Sequence, residues 1–118
     1  MIETRNATIK STMLGYEDHG IFTAILNLDY GGAGQGFGLC FLDAYNDKTK
    51  EREGTAFGMQ FIIEVMKVVG VESWESLKGK HCRVKADYEK VHAIGHFLKD
   101  EWFSPQDLYD KFKSKTEQ

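Results

Sequence analysis

Two fixed cations and three of the four histidines alternate along one segment, in His81-Cys82-Arg83-Val84-Lys85 and His92-Ala93-Ile94-Gly95-His96. Successive side chains of a strand point to opposite faces. If a tight turn at Tyr88-Glu89 pairs Asp87 with Lys90, then Lys85 faces His92, Arg83 faces Ile94 and His81 faces His96. His81, Arg83, Lys85, His92 and His96 then share one face. Cys82, Val84, Ala86, Val91, Ala93, Gly95 and Phe97 make the other face apolar. A one-residue slip would scramble this arrangement.

Three readings compete for such a face. It can be a solvated basic surface, the commonest use of exposed charge. It can hold an anion, since arginine offers a planar fork and lysine a point charge to phosphate. A metal fits poorly. His92 and His96 lie roughly 13 Å apart on a strand, and Arg83 and Lys85 would repel a cation near His81.

A second candidate is the run Asp29-Tyr30-Gly31-Gly32-Ala33-Gly34-Gln35-Gly36-Phe37-Gly38, with five glycines in eight residues. So dense a cluster costs backbone entropy. Bare backbone N–H groups form anion-binding concavities. The same glycines also suit a flexible hairpin tip, a bulge, or packing under an aromatic ring. Thr55-Ala56-Phe57-Gly58 reads as a helix start, another favourable place for phosphate. Phe37, Phe57, Met59 and Trp102 are available as platforms for a base, and each also suits a core. The anion-site residues are thus Gly34, Gln35, Gly36, Phe37, Gly38, Thr55, Phe57, Met59, Arg83, Lys85, His92 and His96.

No GxSxG, HExxH or P-loop lysine motif is present. The GxGxG lies between two strand-like segments rather than before a helix, which excludes a dinucleotide fold. The acids Asp18, Asp29, Asp43, Asp87, Asp100 and Glu101 read as turn residues, although Asp18-His19 and Asp100-Glu101 have the types needed for acid–base work. Binding without chemistry is the expectation, with no catalytic residue, no metal and no cofactor.

The 118 residues suffice for one domain with one modest core, 1–118. The 42% hydrophobic and 28% charged fractions are those of an ordinary globular chain. A formal net charge of -3 argues against duplex nucleic acid, so an anionic ligand needs a local basic patch. No apolar run reaches the roughly 20 residues of a membrane span, and Met1-Ile2-Glu3-Thr4-Arg5-Asn6 has no signal-peptide core. Cys40 and Cys82 lack CxxC spacing and read as buried free thiols of a reducing cytoplasm.

The elements that must position these residues are legible in outline. Ala7 to Tyr16 is a first strand and Glu17-Asp18-His19-Gly20 a turn. Ile21 to Tyr30 is a second strand, with Phe22, Ala24, Leu26 and Leu28 on one face. Phe37 to Leu42 is a third, apolar on both faces and so expected to be central or doubly covered. Ala44 to Gly54 reads as a charged loop. Thr55 caps a helix that runs to Gly70 and buries much of its circumference, against the sheet and a second subunit. Ser73 caps a short turn closed by Gly79. Lys80 to Leu98 is the hairpin. Ser104-Pro105-Gln106-Asp107 starts a last helix with a thin stripe of Leu108, Tyr109 and Phe112, frayed after Lys113. The fold class is α+β: an antiparallel sheet or partly open barrel of about five strands, one long helix and a short C-terminal helix.

Met13-Leu14-Gly15-Tyr16-Glu17-Asp18-His19-Gly20, the glycine run, Gly54-Thr55-Ala56-Phe57-Gly58-Met59, and the stretch from Val84 through Val91-His92-Ala93-Ile94-Gly95-His96 to Lys99-Asp100-Glu101-Trp102-Phe103 together resemble the phage anti-Thoeris sponge family. The resemblance covers most of the chain. It implies a homo-oligomer, a dimer or higher, in the cytoplasm of an infected bacterial host. Such a protein binds a cyclic ADP-ribose isomer made by TIR-domain defence proteins and does not degrade it. Some members are similarly associated with cyclic di- or trinucleotides at a separate subunit-interface site. The rival expectations are an enzyme that degrades the signal and a protein-binding inhibitor that uses the charged segment Asn46 to Glu53.

Overall fold

Alternation of apolar residues with a period of two builds one antiparallel sheet, seen in a computed structural model that describes residues 1–16, 20–39 and 41–116. Its strands are β1 (Glu3–Tyr16), β2 (Phe22–Asp29), β3 (Gly34–Leu39), β6 (His81–Ala86), β7 (Val91–Gly95) and β8 (Trp102–Phe103), in the spatial order β3-β2-β1-β6-β7-β8. Between β3 and β6 come a small hairpin, β4 (Asp43–Asn46) and β5 (Glu51–Gly54), then the helix α1 (Ala56–Val69) and a single 3-10 turn at Trp74–Leu77. The helix α2 (Pro105–Thr116) is the last element among the described residues. The fold is α+β and the main sheet is open. No helix among the described residues is long and apolar enough to cross a membrane.

Ala24, Leu26 and Leu28 of β2 meet Ala7 and Ile9 of β1, Phe37 of β3, Cys82, Val84 and Ala86 of β6, and Val91 and Ile94 of β7 in one core. α1 lies on this face through Phe61, Val65, Val68 and Val69, spaced to form one helical stripe. Thr55 caps it as expected: its hydroxyl accepts from the Gly58 N–H at 2.9 Å and donates to the Leu42 carbonyl at 3.0 Å. Gly70 closes it in the left-handed region, with φ 91.

Four expectations need correction. The third strand is not central. It is the sheet edge β3, and it begins at Gly34, so that Gly34, Gly36 and Gly38 are strand residues. Only Gly31 and Gly32 of the run have positive φ, 86 and 122. The charged loop Ala44 to Gly54 is the β4–β5 hairpin. Asn46 organises its tip by accepting the Lys48 and Thr49 N–H groups, and Lys50 supplies the positive φ of 62. Ser73 makes no side-chain cap and instead bonds the Ser76 hydroxyl. Finally, α2 continues past Lys113 to Thr116. The turn residues Glu17, Asp18 and His19, with the Asp18-His19 pair, and Cys40 lie outside the described residues.

The glycines of β3 have a steric cause. A methyl on Gly38 would lie 2.1 Å from the Ala24 carbonyl oxygen, and one on Gly34 would lie 2.5 Å from that of Leu28. The backbone of β3 crosses β2 too closely for a side chain there.

The two ends of the open sheet approach each other. Phe37 is buried against Phe61 and Phe103, at centroid distances of 6.1 and 6.5 Å. Gln35 donates its amide across the gap to the Asp87 carbonyl at 3.0 Å and accepts from the Tyr30 hydroxyl at 2.7 Å. Side chains rather than a backbone ladder span this seam.

Candidate ligand-binding site

The cationic face forms around a bulge that the strict alternation could not reveal. Ala86 pairs with Val91 but Lys85 pairs with Ala93, so His92 is the extra residue on β7. Arg83 therefore faces Gly95, not Ile94, and Lys85 faces Ala93, not His92. His81 pairs with Thr8 of β1 and bonds its hydroxyl at 3.0 Å. The expected set of five on one face is reduced to His81, Arg83 and Lys85.

His92 turns to the hairpin tip, where its Nε2 lies 2.7 Å from Asp87 Oδ2. Asp87 Oδ1 accepts the Glu89 and Lys90 N–H groups. These bonds, that of His92 foremost, hold the Asp87 carboxyl down to about 2. His96 follows β7, turns to Gly70 at the C-terminus of α1, and accepts the Leu98 and Lys99 N–H groups on Nδ1.

Arg83 is occupied by its own fold, and Lys85 is exposed with its ammonium over the Trp102 ring. Arg83 donates to the His96 carbonyl at 2.9 Å and to the Lys99 carbonyl at 2.7 Å. Its guanidinium carbon sits 5.1 Å from the centre of the Trp102 ring, and Lys85 Nζ sits 4.3 Å from it. Trp102 lies flat over Gly95, where a methyl would stand 2.6 Å from the ring. The cluster fastens the β7–β8 connection to the sheet by hydrogen bonds and cation–π contact. Neither cation lines either of the cavities described next.

The larger cavity, about 710 Å³, lies where the N-terminus of α1 meets α2. Phe57 stands edge-on to Tyr109 and Phe112, at 6.2 and 5.7 Å, and Phe41 adds an exposed ring. Thr55, Asp43, Ala44, Pro105, Gln106 and Lys113 complete the lining. The first turn of α1 carries no acid, so the positive end of its dipole is unopposed by its own side chains. Asp43 is buried, and Arg52 grips it with Nε at 3.0 Å and Nη2 at 2.9 Å. That ion pair lowers the Asp43 carboxyl below its ordinary value.

A second cavity of about 550 Å³ lies at the seam, lined among others by Arg5, Tyr30, Gly34, Gln35 and Tyr88. Arg5 lies 5.0 Å over the Tyr30 ring there.

Of the anticipated residues, Thr55 and Phe57 meet in the aromatic cleft, and Gly34 and Gln35 meet at the seam. Phe37 is core, 2% exposed, and offers no platform to a base. Gly36 and Gly38 lie in β3 and line neither cavity. Met59 stands on the open side of α1, 61% exposed, and does not line the cleft. Phe41, Asp43, Pro105, Gln106, Tyr109, Phe112 and Lys113 were not anticipated as site residues. The stripe of α2 was visible in the sequence, but not the surface it packs against. No family model matches this chain, and neither a curated protein nor a solved structure is found to be similar to it.

Proposed function

We propose that the protein is a phage-encoded sponge that binds a cyclic ADP-ribose isomer made by TIR-domain proteins of its bacterial host. It acts in the host cytoplasm, as a homo-oligomer, and holds the signal without cleaving it. Cyclic di- or trinucleotides are further ligands at a separate site. The family resemblance supplies the ligand class. The observation that carries the reading is the aromatic cleft of about 710 Å³ at the start of α1. Its volume suits a small molecule, its rings suit a purine, and a helix N-terminus with Lys113 at the same cleft suits a pyrophosphate. The exposed Met59 and Ile63 on α1 support self-association.

The mechanism is mass action. A protein present at micromolar concentration with nanomolar affinity, about -12 kcal/mol, draws the free signal below what an effector needs. The test is to saturate the protein with the signal, remove unbound nucleotide, denature by heat and analyse the supernatant. Recovery of one intact nucleotide per site is expected. Linear or hydrolysed products would make it an enzyme, and no recovered nucleotide would end the nucleotide reading.

One observation favours a second reading, a protein-binding inhibitor of a host defence protein. All four residues of β5 are exposed, and the hairpin tip is charged. A stable complex with a host protein, lost on neutralising Glu51 and Glu53, would support it.

A further inference from the structure

We infer that Asp43 selects the base: the aromatic cleft takes an adenine, and the buried carboxylate accepts a hydrogen bond from its 6-amino group. This rests on the nucleotide reading above and adds the part of the ligand that is recognised. Most of the cleft wall is hydrocarbon, so the few polar atoms in it decide which base is tolerated. The Thr55 hydroxyl is engaged on both sides, accepting from Gly58 and donating to Leu42. Gln106 is exposed to water, and its amide nitrogen donates to Asp110 at 2.9 Å.

Asp43 is different. Its Oδ1 accepts from the Phe22 N–H at 3.2 Å and from Arg52 Nη2 at 2.9 Å, which fills both lone pairs. Its Oδ2 accepts from Arg52 Nε at 3.0 Å, and no other side chain among the described residues donates to it. One acceptor position remains on a side chain only 6% exposed. Arg52 keeps this carboxyl ionised, so it offers an acceptor and no proton. A purine packed on the Phe57 and Tyr109 wall of the cleft that presents an amino group satisfies that position. A purine with a carbonyl oxygen there sets two acceptors against each other.

The test compares, by calorimetry on the intact protein, the cyclic ADP-ribose isomer recovered in the release assay with its hypoxanthine counterpart, which carries oxygen in place of the 6-amino group. Binding of the hypoxanthine compound at least tenfold weaker is expected. Equal affinity overturns the role of Asp43 and leaves the sponge reading intact. Failure of both compounds to bind overturns both. Asp43→Asn separates base selection from a mere effect on folding, because the ratio of the two affinities is read in one variant. The ratio is expected to fall toward one, and a ratio unchanged from the wild type overturns the assignment.

Discussion

The sheet face around Trp102 and the cleft around Phe57 contain similar materials, aromatic rings beside positive charge, and use them in opposite ways. At Trp102 the arginine's donors are consumed. Arg83 spends its fork on two backbone carbonyls and both cations lie over the indole, while Lys85 stays exposed. At Phe57 the rings face an open volume, and Lys113 lies at the cleft without an ion-pair partner among the described residues. Charge density along a sequence therefore locates basic residues but not free ones. What separates the two regions is whether nearby carbonyls and rings have already satisfied the donors.

Arg83→Ala gives the largest effect and belongs to the first region. It removes two charged hydrogen bonds and a cation–π contact, and should cost about 2–3 kcal/mol in chemical denaturation. Affinity for the nucleotide should stay within twofold. A large loss of affinity in a stable variant would return the site to the cationic face. Tyr109→Ala is the converse. Its ring is half exposed on the cleft wall, so stability should change little, while affinity falls tenfold, about 1.4 kcal/mol. Unchanged affinity would remove the cleft from the reading.

The smallest effect belongs to Asp87, beside the bulge that redistributed the histidines. Its carboxyl is held at about 2, below the ordinary 3.8. A carboxyl held low in the fold contributes stability that is complete above its ordinary value and disappears as pH falls through the lower one. Asp87→Asn should therefore lower the melting temperature at pH 6, and the gap from the wild type should close between about pH 4 and 2. A gap that persists at pH 2 would show that the carboxylate's charge is not what His92 engages.

The α+β class, both helices, the apolar faces of β2 and β6 and the Thr55 cap were legible because each rests on local periodicity or local chemistry. The bulge at His92 was not, because an inserted residue leaves no mark on an alternating pattern of short polar and apolar residues. The edge position of β3 was hidden by Phe37 and Leu39, whose hydrophobicity suggested cover on both faces. The β4–β5 hairpin was hidden by composition: Glu51-Arg52-Glu53 reads as loop, and the Asp43–Arg52 ion pair with the Asn46 tip shows why it folds back. The cleft itself unites residues more than sixty positions apart, Phe41 to Phe112, and no spacing rule relates them.

The close passage of β3 over β2 also limits how this edge can be altered. At Gly34 and Gly38 the neighbouring peptide carbonyls already occupy the space a methyl would need, whereas at Gly36 an added carbon would touch, among the described residues, only the Ile25 methyl at 3.8 Å. That single tolerant site makes Gly36 the natural attachment point for a spectroscopic label, from which opening of the Gln35 bridge could be followed in real time.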